Sequence, residues 1–137
     1  MSAERRSRAF PRTVRLLKPG DYQYIFKRPV VVSDRLFRVY ARRNDAPCRL
    51  GLAISRKAAP RAVDRNRIKR HVRSVFRLQR PLWDGELGEA GAASPASVSF
   101  IVMARPEAKT ASGAALQAAI HDLFNRALRK ARSVTED

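Results

Sequence analysis

Apolar positions along the chain switch between a spacing near 3.6 residues and strict alternation, and each switch marks an element. Tyr22, Ile25 and Phe26 share one face of a short helix over 21–28, with the Pro19-Gly20-Asp21 turn as its N-cap. Pro29 ends that helix and Val30-Val31-Val32 opens extended structure. After a turn at Ser33-Asp34, residues 35–43 alternate: Phe37, Val39 and Ala41 point one way, Arg38, Tyr40 and Arg42 the other. Asn44-Asp45-Ala46-Pro47 is a second turn, ahead of a strand from Arg49 to Ser55.

Helical spacing returns after the basic connection Arg56 to Pro60. Over about 61–80, Ile68, Val72, Val75 and Phe76 form one stripe, and Pro81 closes the helix. Residues 98–104 are nearly continuously apolar, which predicts a central strand. Arg105-Pro106 stops it. A final helix over about 111–132 buries Leu116, Ile120, Leu123, Phe124 and Ala127. The order αβββαβα predicts an α+β fold, a single-domain sandwich in which helices cover a mixed four-stranded sheet.

A chain of 137 residues suits one domain with a real core. That domain is expected over 15–132, after a disordered basic arm at 1–14 and before a tail at 133–137. The Gly-, Ala- and acid-rich stretch 84–97 reads as a mobile loop within it. Charge sharpens the picture. The formal net charge is +17, and residues 1–80 carry 23 Lys/Arg against 5 Asp/Glu, whereas 81–137 carry 6 against 7. The potential for binding a polyanion therefore sits in the first three-fifths of the chain.

The single Cys48 rules out an internal disulfide and a multi-cysteine zinc site. No run approaches the roughly 18 apolar residues of a membrane span. Met1 to Arg15 lacks the apolar stretch of a secretory signal, so the cytoplasm is the expected location.

The densest chemistry lies at Ala62-Val63-Asp64-Arg65-Asn66-Arg67-Ile68-Lys69-Arg70-His71-Val72-Arg73, with four Arg, one Lys and an Asn in twelve residues. Asn66, Arg70, Arg73 and Arg77 gather opposite the apolar stripe, with Arg65, Lys69 and Arg80 on one flank. Between Arg56 and Arg80 there are ten Lys/Arg and only one acid, Asp64. A merely solvated helix alternates signs and gains i,i+4 pairs. This one repels itself until phosphates neutralise it. Arg suits them because its planar fork donates bidentate hydrogen bonds and keeps its charge. The reading is a nucleic-acid-binding helix, with RNA as the partner.

On the strand face, Arg38, Tyr40 and Arg42 join positive charge to an aromatic ring. Tyr22 and Phe26 lie nearby if the short helix crosses that face; otherwise they are core residues. Rings among cations suit unpaired RNA, whose bases stack while Arg and Lys hold the backbone. Support for protein-borne catalysis is thin. His71 sits among cations that favour its neutral form, His121 is on a polar face, and neither has a partner at a recognisable spacing. The acids are scattered rather than clustered for metal-assisted hydrolysis.

The block Arg49-Leu50-Gly51-Leu52-Ala53-Ile54-Ser55-Arg56-Lys57, followed by Ala62-Val63-Asp64-Arg65-Asn66-Arg67-Ile68-Lys69-Arg70, closely resembles the bacterial ribonuclease P protein family. The likeness extends to Arg15-Leu16, Asp21-Tyr22-Gln23-Tyr24-Ile25-Phe26, Phe37-Arg38-Val39-Tyr40 and Phe100-Ile101-Val102-Met103-Ala104-Arg105. The resemblance implies the αβββαβα sandwich with a left-handed βαβ crossover, against the usual right-handed rule. It also implies that an RNA subunit, assisted by Mg²⁺, hydrolyses the phosphodiester that frees the 5′ leader of precursor tRNA. The protein would hold no cofactor of its own and bind no small-molecule substrate.

By the same resemblance, Arg65, Asn66, Arg67, Lys69, Arg70 and Arg73 contact the RNA subunit and nearby leader, and Arg56 and Lys57 form the basic pair before them. Tyr22, Phe26 and Tyr40 form the wall of a leader-binding cleft, with Arg38 and Arg42 on its strand. Tyr22 stands where Phe is common, and Arg56 where Lys is usual. Composition alone fits a structural, ribosomal-type RNA binder equally well. A protein-only nuclease is a third reading, with His71 or His121 as its candidate residue.

Overall fold

The computed structural model describes residues 19–44, 48–83 and 97–133. The expected arm 1–14, the loop 84–97 except Ser97 and the tail 133–137 except Ser133 lie outside them. Helix α1 spans Pro19–Lys27, strands β1 Val30–Ser33, β2 Phe37–Asn44 and β3 Leu50–Ala53, helix α2 Ala62–Trp83, strand β4 Ser97–Ala104 and helix α3 Gly113–Ser133. A 3-10 turn, Pro106–Lys109, links β4 to α3.

The sheet order is β1-β2-β4-β3. β4 is central, as its apolar run predicts: it pairs antiparallel with β2 (Tyr40 opposite Ile101) and parallel with β3 (Leu50 opposite Phe100). β3 and β4 are joined through α2, which makes the βαβ unit whose left-handed crossover the resemblance implies. Mixed sheet and three helices together give the α+β sandwich.

Period two decides what each sheet face does. Phe37, Val39 and Ala41 are fully buried, and with Leu50, Phe100 and Val102 they meet Ile68, Val72, Phe76, Leu116, Leu123 and Phe124 in the main core. Phe76, Phe100 and Phe124 pack edge to face, with ring centroids 5.0 to 6.3 Å apart. Opposite them, α1 covers the second face, where Ile25 and Ile101 are fully buried beside Tyr22, Tyr40, Ala53 and Met103.

Several boundaries differ from the spacing-based ones. α1 starts at Pro19 because a first-turn residue needs no N–H partner and proline already has helical φ. β3 ends at Ala53: Ser55 leaves the sheet, its Oγ accepting the Ala58 N–H at 3.1 Å and its carbonyl the Ala59 N–H at 3.0 Å. α2 continues two residues past Pro81, which the spacing-based reading takes as its end. α3 begins at Gly113, with Ser112 Oγ accepting the Ala115 N–H at 3.1 Å.

Ile68 is fully buried on the core side of α2. An Asp there strands a charge in apolar surroundings, so Ile68→Asp is expected to destabilise by more than about 4 kcal/mol and unfold the domain. Loss of the cooperative thermal transition checks this; a stable, soluble variant means that α2 is wrongly phased.

A basic helix and an aromatic cleft as a candidate RNA interface

On α2, Asn66, Arg70 and Arg77 are exposed, and Arg65, Arg67, Lys69 and Arg73 are partly so. Arg80 departs from the flank predicted for it: only 6% of it is exposed. The helix's later turns rotate that flank against the protein, so charge at a helical position does not by itself mark the RNA-facing side. Arg56 and Lys57 stand exposed at the turn leading into the helix.

Arg65 and Arg67 are tied to main-chain carbonyls. One nitrogen of Arg65 donates to the carbonyls of Ala59 and Pro60, at 2.9 and 2.8 Å, bracing the connection against the first turn of α2. Arg67 donates to the Ala111 carbonyl just before α3. Since a guanidinium carries five N–H donors, each side chain is oriented without being used up. Beside Arg67, His71 Nδ1 lies 2.9 Å from Gln117 Nε2, a second link between α2 and α3. A Cβ at Gly113 would sit 2.8 Å from the His71 ring, so glycine allows this close approach. Partial burial, then repulsion from Arg67 and Arg70, holds the His71 pKa below the ordinary histidine value.

The cleft lies between α1 and the second sheet face. Phe26, 45% exposed, meets Tyr40 edge to face with centroids 5.1 Å apart. Arg38 reaches over the same tyrosine, its guanidinium carbon 5.9 Å from the ring centre and Nη1 3.4 Å from the hydroxyl. Tyr22 is partly buried beside Ile25 and Ile101; desolvation, then the charge of Asp21, raises its pKa and keeps the hydroxyl protonated. The sequence-predicted trio therefore splits. Phe26 presents ring surface, while Tyr22 and Tyr40 are both partly buried against Ile25 and Ile101.

Arg42 is drawn to Tyr24, a residue that the helical stripe leaves out. Its guanidinium lies 3.9 Å from that ring centre, and it donates to the Tyr24 carbonyl at 2.7 Å. The Tyr24 hydroxyl in turn donates to the Arg43 carbonyl. With Arg49 and Asp21 at 3.5 Å, these contacts clamp α1 onto β2 and β3. Tyr24 lies 18 residues from Arg42 and off the apolar stripe of its helix, so only the packing reveals the pair.

A pocket of about 340 Å³ joins cleft and connection. Met103, Ala58 and Ala104 supply apolar surface, and Arg38, Lys57 and Arg105 supply charge. Arg38 and Met103 are cross-strand partners on the cleft face, so the aromatic floor runs on to the turn that leads into α2. Bases meet rings and apolar surface while phosphates meet cations, an arrangement suited to unpaired RNA. His121 is exposed on α3.

The family model for ribonuclease P matches residues 10–128. This chain belongs to the ribonuclease P protein family. It is 40% identical over 118 residues to the ribonuclease P protein component of Thioalkalivibrio sulfidiphilus, covering 85% of this chain and 88% of that one. The component from Methylococcus capsulatus is 41% identical over 112 residues, 81% of this chain and 78% of the other. The solved RNase P protein of Staphylococcus aureus superposes with a TM-score of 0.69 at 30% identity, covering 83% of this chain and 94% of that chain. For the RNase P protein of Thermotoga maritima the TM-score is 0.63 at 25% identity, with 84% and 96% covered. The matched span takes in every residue of the ribonuclease P-like helix and cleft described above.

His71 couples this interface to pH. With its folded-state pKa depressed, the unfolded chain binds the proton more readily, so stability is fully present above about pH 6.5 and falls as pH drops through the folded value. Melting temperature is expected to decline from pH 7 to pH 5, and His71→Gln to remove part of that decline. An identical decline in the variant would assign the effect to other groups.

Proposed function

We propose that this protein is the RNA-binding subunit of a cytoplasmic ribonuclease P, in which a catalytic RNA, assisted by Mg²⁺, removes the 5′ leader of precursor tRNA. The continuity of basic helix, connection and aromatic cleft carries the reading. Arg65, Asn66, Arg67, Lys69, Arg70 and Arg73, with Arg56 and Lys57, neutralise phosphates of the RNA subunit and the nearby leader. Phe26 and Tyr40, supported by Tyr22 and flanked by Arg38 and Arg42, hold the unpaired leader by stacking, with little sequence reading. Mg²⁺ enters with the RNA; among the described residues no three side chains of metal-ligating type come together. Likewise no described helix is long and apolar enough to cross a membrane.

The deciding experiment adds the purified protein to a bacterial ribonuclease P RNA and labelled precursor tRNA at low Mg²⁺. Cleavage at the mature 5′ end only when both subunits are present supports the proposal. Cleavage by protein alone makes it a nuclease in its own right, and RNA binding without rescue makes it a structural binder.

In that system, Phe26→Ala or Tyr40→Ala is expected to weaken precursor tRNA binding about tenfold, in line with stacking of roughly 1–3 kcal/mol per base, while sparing leaderless tRNA. Equal losses on both would mean a packing role. Arg65→Ala with Arg67→Ala should weaken assembly with the RNA subunit and flatten the log–log salt dependence by up to about two, near 0.9 per phosphate contact. An unchanged slope would limit both arginines to bracing.

A further inference from the structure

Away from the basic helix, a groove of about 620 Å³ runs between the edge strand β1 and the last turns of α3. Val31, Val32 and Ser33 form one side, and Arg126, Arg129 and Lys130 the other. The three cations are spaced i, i+3 and i+4, so they share one helical face. Arg126 meets Asp122 at 3.5 Å, in a pair largely open to water, and Lys130 Nζ donates to the Val31 carbonyl at 3.2 Å. With Arg132, this seven-residue stretch holds four of the six Lys/Arg in 81–137, the half of the chain whose net charge is otherwise negative.

We infer that this groove binds the phosphate backbone of the single strand that crosses the cleft, at nucleotides farther upstream. The inference rests on the proposed function above. The sheet supplies the path. Val31 lies opposite Tyr40 and Ser33 opposite Arg38, so β1 is the strand next to the cleft floor, and RNA leaving the cleft rounds this edge to meet α3 on the opposite sheet face. It also supplies the direction. The basic connection and α2 follow β3, at one edge of the sheet, and β1 is the other edge. On the proposed function the RNA subunit sits against α2, so a leader that starts there passes Tyr40 and Arg38 and exits over β1.

A plainer account covers only part of the cluster. Lys130 blocks an open strand edge, and it and Arg132 suit the negative end of a helix. The helix dipole fades within the last turn, so it does not explain Arg126.

The test uses the reconstituted holoenzyme and precursor tRNAs with leaders from one nucleotide to about a dozen. Arg126→Ala, Arg129→Ala and Lys130→Gln are combined, and the dissociation constant is followed against leader length and salt. For long leaders the expectation is roughly tenfold weaker binding and a salt slope lower by about two, with short-leader and leaderless substrates unchanged. Arg129→Glu alone, at an exposed position, gives the same readout if the triple variant folds poorly. Equal loss on leaderless tRNA would place the groove against another RNA surface and overturn the inference. No loss at any length would make the cluster a solvated face. If the intact protein itself fails to distinguish leader-bearing from leaderless tRNA, and Phe26→Ala changes nothing, it is the proposed function that falls.

Discussion

Phe76, Phe100 and Phe124 come from α2, β4 and α3, and their edge-to-face contact is the joint on which both candidate RNA surfaces depend. α2 has no strand ladder to hold it; its place is set by the stripe of Ile68, Val72 and Phe76 against the core. Each aromatic pair contributes about 0.5–1.5 kcal/mol beyond area burial. More importantly, edge-to-face geometry fixes rotation about the helix axis. A turn of one residue would swing Arg70 and Asn66 off their common side. On the reverse side of the same central strand, Ile101 supports Tyr40 and Ile25, so one strand aims the helix and floors the cleft.

Holding so many like charges together opposes folding, and the structure meets this by packing arginine stems and bracing their heads. Arg65 and Arg67 are tied to main-chain carbonyls, Arg42 to an aromatic face and Arg38 to a tyrosine hydroxyl. An unbound arginine side chain carries about 2 kcal/mol of rotamer entropy. Bracing removes part of that freedom before RNA arrives, so less is lost on binding.

Much of this is legible in the sequence. Alternation over Phe37 to Arg42 assigns the two sheet faces, and the Ile68–Phe76 stripe assigns the buried side of α2, because burial enforces a period that few other causes imitate. What escapes the reading depends on tertiary placement. Arg80 looks like part of the basic flank, yet it turns inward where the helix meets the body. Tyr24 lies off the apolar stripe of α1 and gains its partner Arg42 only because α1 crosses β2. The cations of α3 are diluted by acids in the sequence, and they become a cluster only when β1 is laid beside them. The helix boundaries slip at proline and serine, whose capping chemistry competes with periodicity.

β4 has a consequence for how the chain is made. β2 and β3 are not neighbours in the sheet; they are joined only through β4, which is encoded last among the described strands. Until residue 104 leaves the ribosome, β1 and β2 can form only a two-stranded hairpin, marginal by itself in water. α2 meanwhile lacks Phe100 and Phe124 to pack upon. The nascent protein therefore exposes a long, strongly cationic segment beside a surface made largely of RNA, and its sheet can close only when the least charged part of the chain appears.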